Sequence, residues 1–180
     1  KKQVIIFNAP PGAGKGTQAE LVAKKFSLFH FETSKLGEEK INNPELVKKD
    51  PEVAEAKKRY DSGELFPSHW VVKLVVEKIS ELATAGSGVV FSGSPRTLYE
   101  IKKEMPELEK QYGRESIKIF YITLGEKESI KRNSHRRICQ LNRHPIPNFT
   151  DYENLTACPE DGSPIIKRKL DKPEILKERY

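Results

Sequence analysis

A short apolar run, Val4-Ile5-Ile6-Phe7, leads through Asn8 into Ala9-Pro10-Pro11-Gly12-Ala13-Gly14-Lys15-Gly16-Thr17 and then into a helical pattern over Gln18–Phe26. Strand, glycine-rich turn and helix in that order impose an α/β frame on the chain. They also predict a phosphate-binding loop. Gly12 and Gly14 tolerate positive φ and close approach, so backbone N–H groups can turn inward around an anion. The first helical turn points its unpaired N–H groups and positive dipole end at the same place. Gly12, Ala13, Gly14 and Gly16 would cradle a polyphosphate, Lys15 would bring a full charge to the β- and γ-phosphates, and Thr17 a hydroxyl to the Mg2+ shell. Ala9 stands where such loops usually open on glycine.

The 180 residues suffice for one α/β domain with insertions and a real core. No apolar stretch approaches the roughly 20 residues of a membrane span, and the start, Lys1-Lys2-Gln3, lacks the apolar core of a secretory signal. A cytoplasmic location without a membrane partner is expected. The net charge of +6 suits anionic ligands. Aromatics at 8%, with no stacking motif or recognition helix, count against nucleic acid as the partner. Cys139 and Cys158 are too few for a disulfide framework and read as free thiols or metal ligands.

Three nearly continuous β-rich runs, Val4–Phe7, Val89–Phe91 and Ile117–Ile122, have the character of parallel strands buried on both faces. Helical patterns between them predict right-handed βαβ crossovers and a doubly wound sheet. Asp50-Pro51 opens a helix that Gly63 closes. Another runs from about Ser68 to Ala85, with Val71, Val72, Leu74, Val75, Ile79 and Leu82 on its core face and Gly86 at its end. From Cys139 to about Lys167 the periodicity stops, broken by Pro145, Pro147, Pro159, Pro164 and Gly162; this stretch reads as a lid with internal order. Residues 171–180 read as a helix. The chain begins without a methionine and stops after that helix, so both ends read as cut.

The loop in its Gly-Lys-Gly-Thr-Gln-Ala-Glu form resembles the adenylate kinases and related nucleoside monophosphate kinases. Thr33-Ser34-Lys35-Leu36 is similar to the start of that family's acceptor segment, Thr-Gly-Asp. Gly63-Glu64-Leu65-Phe66-Pro67 resembles its Gly-x-Leu-Val-Pro, and Ser92-Gly93-Ser94-Pro95-Arg96-Thr97 its Asp-Gly-Phe-Pro-Arg-Thr. Arg132 and Arg136 match the arginine pair entering the lid, Arg168 and Arg179 the pair leaving it. The resemblance implies a P-loop kinase core over 1–30, 67–138 and 168–180, a helical NMP-binding insertion over 31–66 and a lid over 139–167.

The reaction it implies is transfer of the γ-phosphoryl of ATP–Mg2+ to a nucleoside monophosphate by a protein expected to be a monomer. Such a step is mostly positioning and neutralisation of charge spread over phosphate oxygens. By resemblance Lys15, Arg132, Arg136, Arg168 and Arg179 are the catalytic cations, Arg132 also holds ATP, and Thr33, Arg96, Glu100, Arg168 and Arg179 bind the acceptor. Arg132 and Arg136, at i and i+4, are expected on one helix face. Arg137 and Lys167 read as surface charges or neighbours of the site, and His135 as a surface residue.

The departures from the family pattern lie mostly on the acceptor and metal sides. Ser34 and Lys35 replace its glycine and aspartate. Glu38 stands where an arginine holds the acceptor phosphate and would repel it unless Lys35 or Lys40 compensates. Ser92 replaces an aspartate that helps organise Mg2+ waters, and Glu100 replaces the glutamine that reads adenine. An ionised glutamate only accepts hydrogen bonds, which favours a base edge presenting N–H groups, GMP or CMP rather than AMP. In the lid, the resemblance places Cys139 and the pair Cys158 and Asp161 at zinc-ligand positions. Asn142 is a poor fourth ligand, but His144 lies two residues on, and the four would make a closed structural Zn2+ site. The alternative is a lid tied by hydrogen bonds. Two other functions stay open: a nucleotide-binding module with little turnover, and a P-loop phosphotransferase acting on another small substrate.

Overall fold

The computed structural model describes residues 2–142, 144–146, 152–167 and 171. Their contacts divide into two units, Lys1–Asn8 with Lys15–Ile122, and Ala9–Gly14 with Thr123–Tyr180.

The first unit contains β1 (Val4–Asn8), α1 (Lys15–Phe26), β2 (Phe29–Phe31), α2 (Thr33–Ile41), α3 (Pro44–Lys49), α4 (Pro51–Asp61), α5 (Ser68–Thr84), β3 (Val89–Phe91), α6 (Leu98–Tyr112) and β4 (Ile117–Tyr121). The strands form a parallel sheet in the order β2-β3-β1-β4, with Ile6 opposite Phe91 on one side and Ile119 on the other. Alternation along each strand divides the core. Val4, Ile6, Phe31, Val89 and Phe91 pack with Trp70, Leu74, Val75 and Ile79 of α5 and Leu108 of α6. Ile5 and Val90 pack with Ala19 and Ala23 of α1. Helices therefore cover both faces, and the doubly wound arrangement stands.

α4 begins where its sequence dictates. Asp50 accepts the Glu52 and Val53 N–H groups at 2.9 and 3.4 Å, with Pro51 in the first turn where a missing N–H costs nothing. α1 starts at Lys15, three residues before the expected Gln18, so Lys15, Gly16 and Thr17 form its first turn. β2 was not legible as a strand: it is three residues with a polar one at its centre. β4 corrects the expectation of burial on both faces. Ile119, Phe120 and Tyr121 are 61, 50 and 67% exposed, because this strand has a neighbour only at β1 among the described residues.

The second unit contains the loop 9–14, α7 (Glu126–Ser134) and a small antiparallel sheet, β5 (Arg137–Cys139) between β6 (Pro145–Ile146) and β7 (Ile165–Ile166). Buried Cys139, Ile146 and Cys158 form its core, with Tyr152 and Ile165 packed against them. Arg137, expected as a surface charge or a neighbour of the site, is a tie: its guanidinium donates to the carbonyls of Glu153 at 2.9 Å and Leu155 at 3.2 Å. No helix among the described residues is long and apolar enough to cross a membrane.

Candidate active site

The carboxyl ends of parallel strands are where open α/β sheets bind ligands, since the loops there diverge and expose helix N-termini. β1 is followed by the glycine-rich loop and the α1 first turn, β2 by Glu32 and Thr33 at the start of α2, and β3 by Ser92 to Arg96. Over Gly93 two groups converge. A Cβ at this position would lie 2.8 Å from Thr33 Oγ1 and 3.1 Å from Arg96 Nη2, so only glycine admits both. Thr33 is 3% exposed, and its hydroxyl has no hydrogen-bond partner among the described residues. A buried hydroxyl left unpaired costs about 1–3 kcal/mol. Beside it, the planar fork of Arg96 suits a phosphate. Together they can grip an anionic oxygen cluster.

Glu100 is only 3% exposed, and its carboxylate is turned inward. It accepts from the Ser68 hydroxyl at 2.9 Å and the Arg96 backbone N–H at 2.5 Å. Each carboxylate oxygen therefore already has a partner within the protein. One turn along α6, Glu104 is fully buried with its oxygens 2.7 and 2.9 Å from Ser94 Oγ. Burial pushes its carboxyl up to about 8, and the nearby Glu100 adds to this. Sequence reasoning missed Glu104, because a glutamate in a helix reads as a solvated face.

Glu38 and Ser92 also have partners. Tyr60 donates its hydroxyl to Glu38 at 2.7 Å. Lys40, considered as a compensating charge, pairs instead with Glu77 at 3.0 Å. Ser92 Oγ lies 2.8 Å from His30 Nε2, and burial holds that imidazole below its ordinary pKa. His30 gave no signal in the sequence, because β2 itself was not legible.

In the second unit Gly12 and Gly14 adopt φ of +78° and +83°, as a turn of backbone N–H groups requires. Arg132 on α7 donates to Glu128 at 2.7 Å, and that bond pulls the Glu128 carboxyl below its usual range. Arg136 makes a two-pronged contact with Asp171 at 2.8 and 2.5 Å. α7 ends at Ser134, so Arg136 lies beyond the helix and the expected shared face with Arg132 is not formed. Arg168 and Arg179, and the helix expected over 171–180 apart from Asp171, lie outside the described residues.

Cys139, His144, Cys158 and Asp161 come together, with one donor atom of each within 4.8 Å of the others. Cys139 Sγ is 3.0 Å from Asp161 Oδ2, and His144 Nδ1 is 3.4 Å from both Cys158 Sγ and Asp161 Oδ2. Zinc bonds of roughly 2.0–2.3 Å put neighbouring donors of a tetrahedron roughly 3.3–3.8 Å apart, the spacing of the two His144 contacts, while Cys139 and Asp161 lie closer together. Asn142 is an outer partner: its backbone N–H points at Cys139 Sγ and its amide at Asp161. Hydrogen bonds from Cys139 and Ser163 hold the Asp161 carboxyl far below the usual carboxylate range.

Residues 7–180 match the family described as adenylate kinase. Among curated relatives, the adenylate kinase of Methanothrix thermoacetophila is 31% identical over 178 residues, covering 97% of this chain and 78% of that protein. Those of Petrotoga mobilis and Staphylococcus epidermidis are each 33% identical, covering 98 and 97% of this chain and 78 and 79% of theirs. With a glycine-rich loop between β1 and α1, a parallel doubly wound sheet and a hydroxyl–guanidinium pair after β2 and β3, this chain belongs to the adenylate kinase family of nucleoside monophosphate kinases.

Proposed function

We propose that the acceptor is AMP, phosphorylated at the expense of ATP–Mg2+. The observation that carries the acceptor site is the unpaired Thr33 hydroxyl beside Arg96 over Gly93, a built place for one phosphate. The inward carboxylate of Glu100 and the adenylate kinase names of the relatives support adenine over a base rich in N–H groups. On this reading Gly12, Ala13, Gly14 and Gly16 hold the donor phosphates through backbone N–H groups, and Thr17 offers its hydroxyl to Mg2+. When bound, that ion supplies charge neutralisation across the β- and γ-phosphates. Lys15, Arg132, Arg136, Arg168 and Arg179 bring the remaining positive charge that a loose phosphoryl-transfer transition state requires. Residues 31–66 serve the acceptor and 139–167 act as the lid.

A coupled assay comparing AMP, GMP, CMP and UMP with ATP tests the acceptor. AMP is expected to exceed the others in kcat/KM by at least about tenfold, the discrimination of one or two base-edge hydrogen bonds. GMP or CMP leading would overturn the assignment and return Glu100 to the role of base reader.

The lid site is read as a structural zinc held by Cys139, His144, Cys158 and Asp161. Strands of two and three residues cannot sustain a sheet by themselves, and four protein ligands leave no open position for chemistry. The purified protein is expected to carry one zinc per chain. Its removal should abolish amide-exchange protection in β5, β6 and β7, because structural zinc commonly supplies about 10 kcal/mol or more of apparent binding energy. A folded preparation that retains that protection without zinc would sink the assignment.

A further inference from the structure

We propose that Ser129 and Asn133 are positioning residues for the glycine-rich loop: one turn apart on α7, they clamp the Pro11–Gly12 peptide to the helix that carries Arg132. The proposal rests on the loop's reading as the donor-phosphate site.

Pro10 and Pro11 have no backbone N–H, so this half of the loop can be tethered through the backbone only by its carbonyls. Pro10 O receives the Ala13 N–H at a long 3.4 Å. Pro11 O receives the Ser129 hydroxyl at 2.7 Å, from a side chain that is 2% exposed. In a trans peptide the C=O and the following N–H point in opposite directions. Drawing the Pro11 carbonyl onto α7 therefore aims the Gly12 N–H away from the helix, while the positive φ of Gly12 turns the chain onward.

Asn133 completes the clamp. It is 1% exposed, and its Nδ2 donates to Ser129 O at 2.7 Å. A Cβ on Gly12 would lie 2.5 Å from that nitrogen and 3.3 Å from Arg132 Cβ, so loop and helix are in direct contact here. Asn133 Oδ1 is buried with no hydrogen-bond partner among the described residues. An apolar side chain of the same shape would avoid that cost, which makes asparagine a poor choice for packing alone. The clamp sets the register between the loop and the base of Arg132, two elements far apart in sequence.

Ser129→Ala, Ser129→Thr and Asn133→Leu in the full chain test this, with ATP and inorganic tripolyphosphate affinities by calorimetry, acceptor KM and thermal unfolding as readouts. Ser129→Ala should weaken both ATP and tripolyphosphate about fivefold, the scale of one hydrogen bond, with acceptor KM unchanged. Threonine should restore affinity. Asn133→Leu should weaken both ligands while unfolding at the same temperature or higher, and it carries the test if Ser129→Ala does not fold. Wild-type affinity in Ser129→Ala or Asn133→Leu, or losses that fall equally on acceptor KM and follow a lowered unfolding temperature, would overturn the clamp. Wild-type protein that binds tripolyphosphate but not ATP would refute the donor reading alone, leaving the variants to decide the clamp. Binding of neither ligand would overturn both.

Discussion

Lys15→Met is expected to lower kcat by about 10³-fold, some 4 kcal/mol of transition-state stabilisation, and to leave the unfolding midpoint close to wild type. Lys15 is the first residue of α1, directly after Gly14 with its positive φ. A cation there adds to the unpaired N–H groups of the first turn at the end of the helix that already favours anions. Charge on the γ-phosphoryl oxygens shifts as the bond to the leaving oxygen breaks, so a fixed ammonium stabilises the transition state more than the bound donor. Methionine keeps an unbranched chain of comparable length and good helix propensity, which confines the change to the charge. Steady-state kinetics with separate kcat and KM, beside a thermal melt, read the result. A kcat within tenfold of wild type would show that Lys15 is not the donor-side cation.

Glu104→Gln is expected to remove a pH dependence of stability worth several kcal/mol. In the folded protein burial raises this carboxyl from an ordinary 4.5 to about 8. Between those values the native state holds a proton that the unfolded chain has released. Native protein therefore binds more protons than unfolded, and stability falls as pH rises, by about 1.4 kcal/mol per pH unit. The contribution is intact below about 4.5, declines across the window and levels off above about 8. Glutamine keeps the shape, and its amide oxygen can accept from Ser94 Oγ as the carboxyl does, with no proton to lose. Denaturant unfolding from pH 5 to 9 should give two curves that meet at the acid end and separate by several kcal/mol at the alkaline end, the variant being more stable. Taking the difference isolates this carboxyl from His30, whose depressed pKa acts in the opposite direction by favouring the fold as pH rises. Parallel curves would mean that Glu104 is ionised throughout.

The regular parts of the fold were legible because they depend on near neighbours. Val89–Phe91 is an apolar run and became β3. Asp50 before Pro51 is a cap and became one, and the apolar positions of Ser68–Thr84 line the core face of α5. Val72, on the flank of that stripe, is the half-buried exception. The candidate site was readable in part for the same reason, since Lys15 and Thr17 lie in a short glycine-rich motif and Arg96 in a segment that resembles the family's Asp-Gly-Phe-Pro-Arg-Thr.

What escaped was decided by partners distant in the chain. Glu100 in a motif looks like a base reader; only the meeting of Ser68, Arg96 and its carboxylate turns it inward. Arg132 and Arg136 look like one helix face until α7 stops at Ser134 and each arginine finds a different carboxylate. His144 needed Cys139, Cys158 and Asp161 brought within 4.8 Å before its two-residue offset from Asn142 meant anything. The sequence by itself determined the strand-loop-helix frame, the charge that suits phosphate and the family, because backbone conformation and anion chemistry are local. The tertiary structure alone decided which acids are buried, which cations are already paired and which buried hydroxyl has no partner among the described residues. Those properties depend on desolvation and on contacts between residues tens of positions apart, and neither is written in any short stretch of chain.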